Sequence, residues 1–143
     1  MTEKTILFVG EAAPDFLLKD QDKQEVRLSD FKGKKVLLSF HPLAWTGVCG
    51  EQMKSLESHE AEFAALNAVP LGLSIDHGPS KAAWAKTLGV VKTRLLADFW
   101  PHGAVARAYG LFREKFGSSE RANVIVDAEG KVVFIKVYEI PQL

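Results

Sequence analysis

Short apolar runs and turn residues alternate along this chain. Phe16 to Lys19 and Glu25 to Leu28 are separated by Asp20-Gln21-Asp22, which predicts an N-terminal hairpin. Ser29 and Asp30 are placed to cap a single helical turn before Gly33. Lys35-Val36-Leu37-Leu38-Ser39-Phe40 is too short for a helix and does not alternate, as suits a strand buried on both faces, and Pro42 ends it. From Gly47 to Leu66, Met53, Leu56, Phe63 and Leu66 keep one face while Glu51, Lys54, Glu57 and Glu62 lie largely elsewhere. That pattern predicts one long helix, stopped by Asn67. Val69 to Ile75 reads as a second buried strand.

A strand, a long helix and a strand in succession form a unit whose two strands run parallel. Pro79 suits the first position of a further helix over Ser80 to Leu88, closed by Gly89. Leu95-Leu96 is a candidate short strand, and a short helix is expected near Ala104 to Tyr109. Ala122 to Val126 and Lys131 to Tyr138 flank Asp127-Ala128-Glu129-Gly130, an antiparallel hairpin signal. The resulting expectation is an α/β class: a mixed sheet flanked by helices, in a thioredoxin-like fold with an N-terminal β-hairpin extension.

The 143 residues suit one domain spanning 1–143. Apolar residues at 47% and charged residues at 25% are ordinary for a soluble protein. Eighteen basic residues balance eighteen acidic ones, so no strong field draws in nucleic acid or an anionic membrane. No stretch approaches the roughly 20 apolar residues that span a bilayer. The apolar run Ile6 to Val9 lacks the basic start and longer centre of a secretory signal, so a cytoplasmic address is expected.

Cysteine narrows the chemistry. There is one, Cys49, which excludes an intrachain disulfide, a Cys-x-x-Cys redox pair and a multi-cysteine zinc site. His41, His59, His77 and His102 do not pair at metal-ligand spacing, so no metal is expected. Cys49 is then either a packed thiol or a lone nucleophile. It follows the Lys35–Phe40 strand and stands in the first turn of the long helix, four residues before Met53. A helix N-terminus offers free N–H groups and partial positive charge, which favour thiolate over thiol. Such positions bring a cysteine pKa from about 8.5 to roughly 3.5–7.5.

Pro42, Thr46 and Cys49 spell Pro-x-x-x-Thr-x-x-Cys, and in this the chain resembles the peroxiredoxins. The likeness runs through Ala13-Pro14-Asp15-Phe16, Leu28-Ser29-Asp30-Phe31, Gly33-Lys34, Asp98-Phe99, Tyr109-Gly110 and Arg121 before Val124-Ile125-Val126-Asp127 and Gly130. It covers nearly the whole chain. The chain is most similar to one-cysteine forms near the bacterioferritin-comigratory and alkyl hydroperoxide reductase E groups. The resemblance implies that Cys49 attacks the terminal peroxide oxygen and that Thr46 hydrogen-bonds the peroxide. Pro42 would shield the thiolate, and Arg121 would bind both thiolate and the polarised O–O bond. The backbone N–H of Cys49, with that of Val48, would hold the oxygen under attack. Simpler readings stand beside these. Pro42 also suffices to end a strand, Thr46 is a good helix cap, and Arg121 alone reads as a surface residue. Trp45 and Trp100 are expected to be structural.

The chain departs from the family in four places. No second cysteine resolves the sulfenic acid, so an external reductant is required: a thioredoxin-like or glutaredoxin-like protein, or a low-molecular-weight thiol. His41 stands where relatives carry an aromatic residue, and Gln52 where many carry glutamate. The sequence ends at Leu143, where relatives continue into a final C-terminal helix, so that helix is expected to be missing. The expected function is a thiol-dependent peroxidase acting on hydrogen peroxide and organic hydroperoxides, without a cofactor, as a homodimer. Two other readings stay open: a cysteine hydrolase using Cys49 with a histidine base, and a redox-sensing or holdase-type module that does not turn over.

Overall fold

The computed structural model describes residues 7–140. The N-terminal hairpin pairs β1 (Leu17–Lys19) with β2 (Glu25–Arg27), antiparallel. Its turn is locked by Asp20, whose Oδ1 accepts from the N–H groups of Asp22 at 2.8 Å and Gln24 at 3.0 Å. A single 3₁₀ turn, Leu28–Phe31, follows. Next come β3 (Lys35–Phe40), α1 (Gly47–Ser58), α2 (Glu60–Ala65), β4 (Ala68–Ser74), α3 (Gly78–Leu88), β5 (Arg94–Ala97) and α4 (Ala104–Ala108). A two-residue hairpin, β6 (Phe112–Arg113) with β7 (Ser118–Ser119), precedes β8 (Arg121–Val126) and β9 (Val132–Tyr138).

The main sheet has the order β5-β4-β3-β8-β9. β3 runs parallel to β4 and antiparallel to β8, so the sheet is mixed with β3 at its centre. β4 and β5 are parallel, and β8 and β9 form the C-terminal hairpin. Asp127 fixes that hairpin by accepting from the N–H groups of Glu129 and Lys131, each at 2.9 Å, and Gly130 supplies the φ of +87° that the turn needs.

The strand period of two sorts β3 between two apolar layers. Val36, Leu38 and Phe40 pack with Phe16, Val26, Tyr109 and Val124 on one face. Leu37 packs with Cys49, Met53, Leu56, Trp84 and Leu95 under α1 and α3 on the other. Among the described residues no helix is long and apolar enough to cross a membrane.

Three expectations need correction. The helix expected over Gly47 to Leu66 is two helices, broken at His59, whose backbone leaves the helical region at φ −101°, ψ 15°. The His59 ring turns back onto the Ser55 carbonyl, with Nδ1 at 2.7 Å. Leu66, expected on the apolar face, is exposed. Pro79 is the second residue of α3 rather than the first, because Gly78 opens that helix behind His77. The small β6–β7 hairpin was not expected. Part of the Ile6 to Val9 run and the last residues of the chain lie outside the described residues.

Candidate active site

The segment between β3 and α1 builds the site. Its route is set by three bonds. His41 N–H continues the parallel ladder onto the Leu73 carbonyl at 2.9 Å. Ala44 N–H donates to Asp76 Oδ2 at 2.8 Å, and the Ser74 hydroxyl donates to the same oxygen at 2.6 Å. Trp45 then takes a left-handed backbone, φ +70°, which costs a non-glycine residue roughly 1–2 kcal/mol. Its indole N–H is held by Ser80 Oγ at 3.1 Å. Strain tied down in this way sits where functional loops keep it.

Thr46 occupies the helix cap position by backbone, with φ −99° and ψ 151°, and the first helical bond runs from Gly50 N–H to its carbonyl at 2.9 Å. The N–H groups of Gly47, Val48 and Cys49 therefore lie ahead of the helical ladder and point out of the helix end. The Thr46 side chain does not cap them. Its hydroxyl turns back and donates to the Leu43 carbonyl at 3.0 Å. That corrects the reading of Thr46 as a side-chain cap and leaves its oxygen lone pairs available as acceptors.

Cys49 is the third residue of α1 and is 1% exposed. Arg121, the first residue of β8, brings Nη2 to 3.4 Å from its sulfur. The two are 72 positions apart in sequence and meet because β8 pairs with β3, setting Ala122 against Phe40. Nη1 of Arg121 donates to Gln52 Oε1 at 2.6 Å. Gln52 Nε2 in turn donates to Ser39 Oγ at 2.7 Å and to the Phe40 carbonyl at 3.1 Å. Gln52 thus braces the guanidinium against β3, a role sequence reasoning did not assign, although its place one turn after Cys49 was the available signal. Glu51 points away and is exposed. Pro42 is buried beside His41.

No histidine hydrogen-bonds to Cys49 among the described residues. His41 bonds to Lys81, His59 to Ser55 and His102 to Gly117, while His77 packs edge-on against Phe99. The thiol–imidazole pair of a cysteine hydrolase is therefore not assembled. No group of three or more metal-ligating side chains gathers among the described residues. Trp45 and Trp100 are exposed, so neither is a core residue.

The AhpC/TSA family model matches residues 9–135. The chain belongs to this family of peroxiredoxins. It is 42% identical over 133 residues to alkyl hydroperoxide reductase E of Mycobacterium tuberculosis, covering 92% of this chain and 86% of that protein. It is 32% identical to peroxiredoxin-1 of Gekko japonicus, over 94% of this chain and 71% of that one. The crystal structure of reduced 2-Cys peroxiredoxin from Plasmodium vivax superposes with a TM-score of 0.84 at 32% identity, covering 94% of this chain and 88% of the other. A peroxiredoxin is a thiol-dependent peroxidase, and in this one Cys49 is the only thiol. The thioredoxin-like fold and the family read from Pro42, Thr46 and Cys49 are both borne out.

Proposed function

We propose that this peroxiredoxin reduces hydroperoxides through a sulfenic acid on Cys49 that an external thiol resolves. The observation that carries this reading is Arg121 Nη2 at 3.4 Å from Cys49 Sγ, a fixed cation at a buried sulfur. In the reaction, the Cys49 thiolate attacks the terminal oxygen of the peroxide. The S–O bond forms, the O–O bond breaks, and sulfur is oxidised to sulfenic acid. The leaving oxygen takes a proton and departs as water or an alcohol. The Thr46 oxygen has its own hydrogen engaged at Leu43 and is left to accept the peroxide hydrogen, which orients the substrate. The N–H groups ahead of the α1 ladder and the Arg121 guanidinium supply donors aimed at developing charge. Burial of Pro42 supports its role as a water shield.

Sulfenic acid then needs a thiol, and the sequence holds no second one. A thiol of a thioredoxin-like or glutaredoxin-like protein, or a small thiol, attacks the Cys49 sulfur and releases water. A second thiol breaks the mixed disulfide and restores Cys49.

Rapid mixing with hydrogen peroxide under intrinsic tryptophan fluorescence tests the proposal. We expect a fast phase that is absent in Cys49→Ser. A wild-type rate no better than that of free cysteine at the same pH would overturn the reading. A single stoichiometric turnover, with every thiol reductant failing to restart it, would favour a sensor that does not cycle.

A further inference from the structure

Lysine is almost never fully buried unless paired, because its ammonium loses hydration. Lys81, on α3, is 0% exposed. Its Nζ sits 3.1 Å from His41 Nε2 and donates to Ser74 Oγ at 2.7 Å. The Ser74 hydroxyl passes its own hydrogen to Asp76 Oδ2, the oxygen that also holds Ala44 N–H in the loop leading to Cys49. On the other side, the His41 ring lies 5.3 Å from that of Trp84, which shares an apolar cluster with Cys49. Lys81 is thus tied through Ser74 and Asp76 to the loop that leads to Cys49, and through His41 to the apolar cluster that holds the sulfur.

This network holds in either protonation state. An ammonium donates to His41 and Ser74, and a neutral amine has two N–H groups for the same two acceptors. Lys81 can gain or lose a proton without leaving Ser74 or His41 unbonded. The groups that set its charge come from every neighbouring element: His41 after β3, Asp76 after β4, Cys49 on α1 and Asp98 after β5. Arg121 on β8 acts on His41. Burial pushes the Lys81 amine down to about 7, against the pull of Asp76, Cys49 and Asp98, which favour the charged form. Burial, then the charges of Lys81 and Arg121, hold His41 well below its ordinary value, so its ring stays neutral and accepts at Nε2.

We infer that Lys81 is a positioning residue for Cys49: it keeps a proton while the sulfur is negative and releases it to solvent water when the sulfur becomes neutral. This inference rests on the reading that Cys49 reacts as a thiolate. Conversion of thiolate to sulfenic acid removes one of the negative charges that hold the Lys81 proton. The core behind the site therefore changes charge in step with the sulfur.

The test is an NMR pH titration of the full chain carrying ¹³C at lysine Cε, with the Lys81 signal assigned by its disappearance in Lys81→Arg. In reduced wild type we expect a midpoint near 7. In Cys49→Ser the proton affinity of Lys81 should fall on the order of tenfold, and Cys49→Asp should restore it. A midpoint near the ordinary lysine value of about 10.4, or one unmoved in Cys49→Ser, would overturn the inference. So would equal movement in Cys49→Ser and Cys49→Asp, which would mark a packing effect. Should Cys49→Asp fail to fold, the wild-type and Cys49→Ser titrations decide alone. In kinetics, Lys81→Met should move the midpoint of the oxidation rate against pH upward while leaving the high-pH plateau within about threefold. A lower plateau at an unmoved midpoint would count against it. Slow peroxide oxidation in wild type would instead overturn the proposed function, and the NMR coupling would still be read independently.

Discussion

Gln52 Oε1 accepts from Arg121 Nη1 at 2.6 Å, so the guanidinium beside the sulfur is held by a side chain one turn further along the same helix. The amide does this only because its other end is tied to Ser39 and the Phe40 carbonyl. Gln52→Leu removes both attachments at little change in volume. We expect Cys49 oxidation to slow by about tenfold or more, with a stability loss of about 1–2 kcal/mol from the bonds left unmade. Stopped-flow fluorescence and urea unfolding measure the two. An unchanged rate would show that Arg121 needs no brace.

In the proposed reaction Thr46 accepts the peroxide hydrogen, and it does so without serving as a side-chain helix cap. Its hydroxyl bonds to Leu43 and not to the helix end. Thr46→Val should therefore slow peroxide reduction on the order of a hundredfold while changing stability by less than about 1 kcal/mol. Thr46→Ser keeps the hydroxyl and should retain most of the rate. Equal losses in both variants would place the defect in packing.

The floor of the site is packed against Gly72 on β4. A Cβ there would lie 2.5 Å from Met53 Sδ and 2.9 Å from Leu95 Cδ2. Met53 is one turn from Cys49 on α1 and fully buried. Gly72→Ala should cost about 1–3 kcal/mol, read from the urea midpoint. It should also slow oxidation, because the Met53 side chain must repack one turn along α1 from Cys49.

Glu57 gives the fold an acid sensitivity of known sign. Its carboxylate accepts from the N–H groups of Val91, Lys92 and Thr93 at 2.8–3.1 Å and so fixes the connection between α3 and β5. Burial alone would push the Glu57 carboxyl up, but the N–H donors outweigh it and hold the group below its ordinary value. A carboxyl lowered in the folded state contributes stability above its unfolded value of about 4.3 and loses it as pH falls through the folded value. Unfolding free energy should therefore drop on acidification below about pH 5, and less steeply in Glu57→Gln. At neutral pH that variant should be weaker by on the order of 1 kcal/mol. Parallel pH profiles for the two chains would remove Glu57 from this account.

Much of this architecture was legible because local and long-range signals agreed. The apolar run of β3, the stripe through Met53 and Leu56, and the Asp127–Gly130 turn each named an element that the structure contains. The break at His59 was not legible, since Leu56, Phe63 and Leu66 keep helical spacing straight across it. Two-residue strands such as Phe112–Arg113 are too short to show alternation. Cys49 and Pro42 stood together in the sequence, but the approach of Arg121 depends on the pairing of β3 with β8, and only family resemblance pointed to it. Lys81 was missed because a lysine between Ser80 and Ala82 reads as a solvated helix residue. Its burial follows from polar partners at the ends of two different strands.

The central place of β3 has a further consequence. The sulfur's helix starts just beyond this strand, Gln52 is anchored to it, and Arg121 opens the strand paired beside it. No local opening that spares the site can reach these strands, and no opening that reaches them can spare the site. Peroxide reactivity and the exchange protection expected for the buried, paired amides of Leu38 and Val124 in the middle of the sheet should therefore be lost together in denaturant. The chemistry of one sulfur atom then serves as a readout of whether the central sheet is folded.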